Sequence, residues 1–248
     1  MNTYKADLHI HTVLSPCADL YMSPANIIEH ANLRGLDIIG ITDHNSTKQA
    51  PLVQKLGKEK GVFVLCGTEV TSKEEVHCLT FFPDSNALAE FQLYLDFHLP
   101  DIKNKTDQFG YQVCVDENED IVFQEDRLLI SAINQSVEQI EQKTHDLGGL
   151  FIPAHINRGM FSLTSQLGFV PPDLKYDALE LSKHTTIEDY KQQNPYLKDA
   201  VFIQSSDAHL PHLVGTVSTL FKLQSRSFEE IKMAFKNKDG RCIVGVSL

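Results

Sequence analysis

Two histidines lie one residue apart in the run DLHIHT (Asp7–Thr12), which is otherwise apolar and strand-like. Side chains in a β-strand alternate between two faces, so His9 and His11 would project to one side and Leu8 and Ile10 to the other. Two imidazoles on one face can bind a single metal ion. The pattern also fits two polar residues on the solvent-exposed face of an edge strand, and only the rest of the chain separates these interpretations.

Five further apolar runs carry imidazole or carboxylate groups near one end. In barrel-like α/β folds the functional groups lie at the carboxyl ends of the strands, so one end of the sheet would collect most of these side chains. If these residues were only solvent-exposed polar side chains, each one would need its own explanation for lying next to an apolar run that is expected to be buried. The residues are Asp43 and His44 in DIIGITDHN, Glu69 in FVLCGTEVT, His77 in EEVHCLTFF, His155 and Arg158 in GLFIPAHINR, and Asp207 and His209 in AVFIQSSDAH.

The types of these side chains indicate a metal centre. Imidazoles and carboxylates without thiolates suit zinc, manganese or iron. They are too many for one tetrahedral zinc, whereas a multinuclear site with a carboxylate such as Glu69 bridging two ions would use them all. Closely spaced divalent ions activate water and bind both oxygens that exchange at a phosphoryl centre, so we expect metal-assisted hydrolysis. Arg158 is the fixed cation that could bind the phosphate bidentately.

The elements that must position these groups alternate along the chain. Helical segments separate the apolar runs, which predicts a parallel α/β arrangement. Ser23 is the expected N-cap of one helix, and capping boxes are expected for Ser136 with Gln139 and for Ser227 with Glu230. The runs are KADLHIH, LDIIGITD, VFVLCGTEV, VHCLTFF, GLFIPAHI, DALELS, AVFIQSSDAH and TLFKL.

The segment at about 84–129 reads differently, because much of it is polar and has no clear period. We interpret it as an insertion or excursion from a single domain that spans residues 1–248. Within it, YQVCV and DIVF flank the acidic sequence DENE and predict a β-hairpin with a solvent-exposed turn.

The net charge of the chain indicates which classes of molecule it is expected to bind. The 22 Lys plus Arg stand against 33 Asp plus Glu, a net charge of −11, which argues against broad binding to a nucleic-acid backbone. The five scattered cysteines show no paired spacing, which favours a reducing compartment. We see neither a signal peptide nor an apolar run of the ~20 residues that a membrane span needs. We therefore expect a cytoplasmic protein without a membrane segment, and the sequence leaves its oligomeric state open.

The motifs DLHIHT, ITDHN, GTEVT, VHCL, AHINR and SSDAH, in this order, resemble those of the PHP family, named for polymerase and histidinol phosphatase. The resemblance implies a distorted (β/α)7 TIM-like barrel with three metal ions at the C-terminal ends of its strands, and phosphoesterase activity. It also implies a ligand set. One ion would bind His9, His11, Glu69 and Asp207, a second would share Glu69 and add His77 and His155, and the third would bind His44, His209 and a residue after HIHT.

That last ligand departs from the family pattern, in which Ser-Asp-Gly closely follows the second histidine. Here the loop reads VLSPCADLYMSP, so Asp19 is the best candidate and Cys17 an alternative. Asp43 either orients a metal ligand through a hydrogen bond or turns the chain into the following helix. His184 in LELSKHTT follows an apolar run and could reach the substrate.

These features together predict hydrolysis of a small phosphate ester, such as histidinol phosphate or a nucleoside phosphate, by a metal-bound hydroxide. One alternative is a nuclease of the PHP type, against which the acidic charge and the lack of a basic or aromatic cluster count. Another is a non-catalytic, metal-stabilised binding module, against which the full ligand set counts. The segment 159–174 after Arg158 either covers the mouth of the site or packs against the barrel.

Overall fold

A computed structural model of the protein, which describes residues 1–248, has eleven strands, and the eight apolar runs form eight of them. The seven-stranded main sheet has the order β11-β10-β1-β2-β3-β4-β7, and two pairs, β5-β6 and β8-β9, stand apart from it. The strands are β1 (Asn2–Ile10), β2 (Ile38–Ile41), β3 (Phe63–Thr71), β4 (His77–Phe81), β5 (Val113–Val115), β6 (Ile121–Gln124), β7 (Leu150–Pro153), β8 (Leu179–Leu181), β9 (Phe202–Gln204), β10 (Ser218–Leu223) and β11 (Cys242–Ser247).

The sheet curls into an irregular barrel, which confirms the predicted distorted TIM-like fold. Strands β1, β2 and β3 are parallel, whereas β4 runs antiparallel to both β3 and β7. Loop hydrogen bonds join the pair β8-β9 to the sheet on both sides. The Ile156 N–H donates to the Glu180 carbonyl (2.9 Å), and the His11 N–H donates to the Ala208 carbonyl (3.0 Å). The sheet therefore departs from the parallel arrangement that the sequence predicts at β4 and at β10, which runs antiparallel to both β1 and β11.

Side chains from several strands of the barrel meet in one apolar cluster. Leu8 of β1, Leu65 of β3 and Ile152 of β7 belong to it, as does Ile231 of a C-terminal helix. Gly67 of β3 allows β4 to approach closely, because a Cβ atom there would lie 1.9 Å from the Thr80 carbonyl oxygen. This packing fixes the strand ends, and hence the groups at the mouth of the barrel.

The helices are α1 (Pro24–Leu33, N-capped by Ser23), α2 (Ala50–Lys60), α3 (Ser85–His98), α4 (Thr106–Phe109), α5 (Val137–Asp146), α6 (Leu163–Leu167), α7 (Ile187–Gln193) and α8 (Phe228–Phe235), with 3₁₀ turns at Pro195–Leu197 and Pro211–Leu213. Helices α1, α5 and α8 begin where the sequence pattern predicts, whereas α3 and α4 lie in the segment 84–129, for which no helix was predicted. None of these helices has both the length and the apolar character that a membrane crossing requires.

Two capping boxes were expected, and one of them forms. In α5 the Ser136 side chain accepts from the N–H of Gln139, and the Gln139 side chain accepts from the N–H of Ser136. In α8 the Ser227 hydroxyl accepts from the N–H of Glu230. The predicted reciprocal bond, from the Ser227 N–H to the Glu230 side chain, is wrong, because the Glu230 carboxylate pairs with Arg241 instead, at 2.9 Å.

The segment 84–129 contributes α3, α4 and the predicted hairpin, which is confirmed as β5-β6 with an exposed acidic turn. Helix α3 packs on the core through Phe91, whose ring lies 4.5 Å from that of Phe82. The hairpin lies against the loop that follows β1, since the Val113 N–H donates to the Val13 carbonyl at 3.3 Å. The excursion therefore borders the mouth of the barrel.

Candidate metal centre

Glu69 lies at the centre of a buried cluster of imidazoles. Its side chain is 1% exposed, and each carboxylate oxygen faces ring nitrogens from several strands. Oε1 lies 3.3 Å from His9 Nε2, 2.9 Å from His77 Nδ1 and 3.2 Å from His155 Nε2, and Oε2 lies 3.4 Å from His11 Nε2 and 3.2 Å from His44 Nδ1. One buried anion is thus shared by imidazoles that are distant from one another in the sequence.

The topology explains why these side chains meet. His9 is the penultimate residue of β1, His44 follows β2 and His155 follows β7, all at the carboxyl ends of their strands. His77 is instead the first residue of β4. Because β4 is reversed, its beginning lies level with the end of β3, where Thr71 pairs with His77.

His9 and His11 share one side, as strand alternation predicts, with their Nε2 atoms 3.2 Å apart. Asp207 joins them after β9, and its Oδ1 lies 3.3 Å from His9 Nε2 and 3.4 Å from His11 Nε2. The ring of His209 stacks on that of His11 at 4.1 Å. Asp207 has a φ of +52°, a backbone conformation that costs energy for a non-glycine residue and that is typical of functional sites.

The charges in this cluster shift its pKa values strongly. Burial lowers the pKa of His9, but the charge of Glu180 and of two further carboxylates raises it well above its usual value. Burial raises the pKa of Glu69, but the imidazoles around it, His77 first, lower it well below its usual value. Burial lowers the pKa of His44 well below its usual value. Binding of a metal ion would therefore release protons from some imidazoles and not from others.

The donor set fits divalent ions. Three groups of ligand atoms each lie within 4.8 Å of one another. The buried Nδ1 of His44 lies 3.2 Å from Glu69 Oε2 yet has no hydrogen-bond partner, as expected for a nitrogen that binds an ion. Imidazole nitrogen and carboxylate oxygen suit zinc, manganese and iron. The groups are His9, His11 and Glu69; His44, Glu69 and His77; and His11, His44 and His209.

The loop after β1 places the two weaker ligand candidates apart from these groups. The Asp19 carboxylate accepts from the Tyr21 N–H at 2.8 Å, while the Asp19 N–H donates to the His209 carbonyl at 2.9 Å. Asp19 is therefore tied to His209 through its backbone, and its carboxylate forms a local turn. Cys17 is surface-exposed in this loop, and desolvation and the charge of Glu69 raise the pKa of its thiol to about 12.

Asp43 is buried and binds the loop that follows β1. Its carboxylate accepts from the N–H and hydroxyl of Thr12, each at 2.7 Å, and from the Ser15 hydroxyl at 2.7 Å. The Ser15 oxygen in turn lies 2.9 Å from His11 Nδ1 and accepts from the His44 N–H at 3.2 Å. Asp43 thus reaches His11 through Ser15, rather than contacting the imidazole of its neighbour His44.

Glu180 is a member of the cluster that the sequence analysis missed. It lies in β8 with 2% of its surface exposed, and its Oε2 lies 3.0 Å from His9 Nδ1. The same oxygen accepts from the His155 backbone N–H at 3.0 Å. A carboxylate on the far nitrogen of a ligating histidine fixes the orientation and basicity of the ring. The signal was available, because Glu180 is an acidic residue inside the apolar run DALELS.

We expect Glu180→Gln to weaken metal binding about 10- to 100-fold, the cost that is typical when such a partner of a ligating histidine is lost. The measurement is a titration of metal-free protein in competition with a chromophoric chelator. Glu188→Gln, at an exposed position in α7, is the matched control and should keep the affinity of the wild type. Equal affinities for both variants would show that Glu180 does not support the centre.

Asp7 is a second buried carboxylate that sequence reasoning missed. It accepts from the N–H and hydroxyl of Ser206, at 3.0 and 2.5 Å, and from the Gly215 N–H at 2.8 Å. Burial raises its pKa to about 6, although these hydrogen bonds oppose the shift. Asp7 thereby anchors the loop that presents Asp207.

Arg158 and His184 border one polar cavity of about 270 Å³ beside the cluster. A guanidinium nitrogen of Arg158 lies 2.6 Å from Asp207 Oδ2, and the side chain is 45% exposed. His184 is exposed at the rim. The cavity is lined by His155, Arg158, Glu180, Leu181, Ser182, Lys183, His184, Ser205, Ser206, Asp207 and Leu213.

The segment 159–174 contacts the site at its beginning and packs against the barrel further along. Phe161 stacks on the His77 ring with centroids 4.9 Å apart, and its carbonyl accepts from the His77 N–H at 3.0 Å. Further along, Leu163, Val170 and Leu174 are buried in the core. Its beginning therefore borders the site, and its remainder packs against the barrel.

Comparisons with known proteins give a family and a fold. A family model described as PHP domain matches residues 7–236. The uncharacterized protein YqxK of Bacillus subtilis is 25% identical over 280 residues, covering 98% of this chain and 65% of YqxK. The phosphoribosyl 1,2-cyclic phosphate 1,2-diphosphodiesterase of Eggerthella lenta is 32% identical over 66 residues, covering 27% of this chain and 24% of that enzyme.

Two solved structures resemble the chain over nearly its whole length. The lesion-specific endonuclease PfuEndoQ of Pyrococcus furiosus has a TM-score of 0.77 at 24% identity. Endonuclease Q in complex with a 27-mer duplex, with an abasic lesion at its active site, has a TM-score of 0.76 at 24% identity. Both alignments cover 98% of this chain and 58% of the other. The chain thus spans less than two thirds of YqxK and of both Endonuclease Q chains.

Proposed function

The chain belongs to the PHP domain family, and from this membership we propose that it is a metal-dependent phosphodiesterase whose substrate is a nucleic-acid strand. The observation that carries the proposal is the placement of Arg158. This half-exposed guanidinium lies 2.6 Å from a carboxylate of the metal cluster and lines an open polar cavity. A fixed cation at such a position can bind the phosphoryl oxygens of a substrate beside the ions.

Similarity to Endonuclease Q supports a nucleic-acid substrate. One of the two similar structures contains duplex DNA with an abasic lesion at its active site, and its fold matches this chain from end to end. The charge of −11 remains the main argument against a nucleic acid, because a duplex-binding face should be basic. Within the cavity the cationic side chains of Arg158 and Lys183 balance the carboxylates of Glu180 and Asp207, so the net charge of the chain is not concentrated there.

We propose that three divalent ions, of zinc, manganese or iron, bind among the nine residues that the sequence assigned; Asp19 would have to leave its local turn with Tyr21 to take part. When bound, such ions lower the pKa of water and neutralise charge on phosphoryl oxygens. Glu69 and Asp207 supply the negative charge that holds the ions, Asp43 and Glu180 orient the imidazoles, and Arg158 binds the substrate phosphate. His184, at the rim, contacts the part of the substrate that lies in the cavity.

The experiment that tests this function measures hydrolysis by metal-loaded protein of three substrates. They are a duplex oligonucleotide with one abasic site, bis-p-nitrophenyl phosphate and p-nitrophenyl phosphate. We expect cleavage of both diesters and a higher kcat/KM for the oligonucleotide. Hydrolysis of the monoester alone would contradict the phosphodiesterase proposal.

A small phosphate ester is the second candidate substrate. The acidic charge of the chain favours it, and so does the partial match to a diesterase from Eggerthella lenta that is named for a small cyclic phosphate. The two candidates share the same chemistry at phosphorus and differ in the size of the substrate. Efficient hydrolysis of bis-p-nitrophenyl phosphate combined with no cleavage of any oligonucleotide would favour the small ester.

We expect Arg158→Ala to lower kcat/KM for a diester by about 10²- to 10³-fold, the usual cost of removing one preorganised donor to a developing oxyanion. Arg158→Lys should recover part of this loss, because lysine keeps the charge but not the bidentate geometry. Arg226→Ala, at an exposed arginine on the far side of the chain from Asp207, is the control. Metal content is measured in parallel, and an unchanged kcat/KM at unchanged metal content would exclude Arg158 from substrate binding.

A further inference from the structure

The cavity beside the metal cluster has features that hydrolysis at a single phosphate does not require. It extends from Asp207 to the loop after β8, where Ser182, Lys183 and His184 lie. Of its eleven lining residues only two are apolar, and none has a ring on which a nucleobase would stack, apart from imidazoles. The cavity is therefore suited to a compact polar group rather than to a base.

The walls of the cavity are held in place from both sides. The Asn157 side chain donates to the Ser182 hydroxyl at 3.0 Å and accepts from the Ser182 N–H at 2.8 Å. The Gln204 amide donates to the carbonyls of Ser182 at 2.8 Å and of Thr185 at 3.0 Å. A loop fixed by four such bonds is preorganised, so a ligand would not have to order it.

One hydroxyl in this cavity has no partner. Ser205 is only 6% exposed, and its Oγ is buried without a hydrogen bond. Buried polar atoms are nearly always paired, so each exception calls for a reason. The Ser182 hydroxyl, which accepts from Asn157, also keeps its own proton free to donate. Ser205 and Ser182, which both line the cavity, thus each have a hydroxyl proton without an acceptor.

The charges of the cavity favour an anion. Lys183 carries positive charge at its mouth and is exposed, whereas the charge of Arg158 is paired with Asp207. Its two carboxylates are already engaged, Glu180 by His9 at 3.0 Å and Asp207 by Arg158 at 2.6 Å. Hydroxyl donors and cations around a small polar space match the oxygens of a phosphate group.

We propose that this cavity binds the phosphate that neighbours the scissile one along the substrate strand. The inference rests on the proposed function, because it assumes that the scissile phosphate lies at the metal cluster. Ser205 and Ser182 donate hydrogen bonds to the neighbouring phosphate, and Lys183 supplies its counter-charge. The site thereby selects a strand with successive phosphates over an isolated diester.

The test uses thymidine p-nitrophenyl phosphodiesters with and without a second phosphate on the sugar. Two polarities are compared: the ester at the 5′ position with the second phosphate at the 3′ position, and the reverse. We expect the second phosphate to raise kcat/KM about tenfold or more in one polarity, the effect of one or more hydrogen bonds to a charged group. Ser205→Ala should reduce this ratio by about tenfold. Lys183→Ala should reduce it less, and more strongly at low salt than at high salt.

Two controls separate binding from folding. Ser205→Ala should leave the melting temperature unchanged or raise it, because the hydroxyl that it removes has no partner in the protein. Lys238→Ala changes an exposed lysine in the loop after α8, away from the cavity, and should leave the ratio as in the wild type. A ratio near one in the wild type, or a ratio that neither Ser205→Ala nor Lys183→Ala changes, would overturn the proposal.

A binding measurement distinguishes this failure from failure of the proposed function. Calorimetry compares thymidine 3′,5′-bisphosphate with the two thymidine monophosphates. If no ester is hydrolysed but the bisphosphate binds about tenfold more tightly and loses this advantage in Ser205→Ala, the cavity assignment stands and the phosphodiesterase proposal falls. If the bisphosphate shows no such advantage, the cavity assignment falls.

Discussion

Phosphodiester hydrolysis by a Glu69→Gln variant is expected to fall by at least about 10³-fold, which corresponds to about 4 kcal/mol at the transition state. Both oxygens of Glu69 face imidazole nitrogens, at distances from 2.9 to 3.4 Å. Glutamine replaces one oxygen by an NH2 group, which can only donate, and removes the negative charge that holds cations. The variant should therefore lose bound metal as well as activity.

The two measurements for this variant are kcat/KM for a diester and metal content by mass spectrometry. Glu75→Gln is the matched control, because Glu75 is exposed in the turn between β3 and β4, only six positions along the chain. It should retain the activity and the metal content of the wild type. Full metal content in Glu69→Gln together with wild-type activity would remove Glu69 from the centre.

Much of the scaffold could be predicted from the sequence, because it depends on local patterns. Apolar runs that alternate with capped helical segments are a local pattern, and this pattern predicts an α/β barrel. Strand alternation placed His9 and His11 on one side, and their Nε2 atoms lie 3.2 Å apart. Most of the other candidate ligands follow apolar runs. Because the carboxyl ends of parallel strands lie at one end of a barrel, the sequence predicted that these residues meet there.

What could not be predicted depends on long-range contacts. Asp7 binds Ser206, which is 199 positions away, and nothing local to DLHIHT indicates this pair. The role of His77 at a strand start depends on the reversal of β4, which an apolar run does not reveal. Glu180 is different, since the rule that identified Glu69 applies to it equally. It lay in a run without a histidine, so no neighbouring motif drew attention to it.

The assignment of the candidate ligands to separate ions stays a prediction. The family resemblance assigned His44 to an ion that does not involve Glu69, yet His44 Nδ1 lies 3.2 Å from Glu69 Oε2. His44 thus lies between two groups, one with Glu69 and His77 and one with His11 and His209. Sequence motifs specify which residues meet, whereas distances between their atoms follow only from the packed barrel.

Removal of metal is expected to lower the melting temperature of the protein by about 8–16 °C for each ion that is lost. A ligand at about 1,000 times its Kd stabilises the folded state by about 4 kcal/mol per site, and about 1 kcal/mol shifts the melting temperature of a chain of this size by about 2–4 °C. The physical reason is that many buried ligand atoms surround Glu69, and bound ions would neutralise the negative charge of its carboxylate. Scanning calorimetry of chelated protein, before and after addition of Mn²⁺ or Zn²⁺, measures the shift.

Two controls test whether the stabilisation depends on the type of metal ion and on the proposed ligands. Ca²⁺ should restore less stability, because it prefers oxygen ligands and the cluster is rich in imidazole. His9→Ala should respond weakly to Zn²⁺, whereas His212→Ala, at an exposed histidine away from the cluster, should respond as the wild type does. Chelated protein with an unchanged melting temperature and full activity would contradict the metal centre. Strong stabilisation by metal without hydrolysis of any ester would instead favour a non-catalytic binding module, because the ligands would then serve the fold alone.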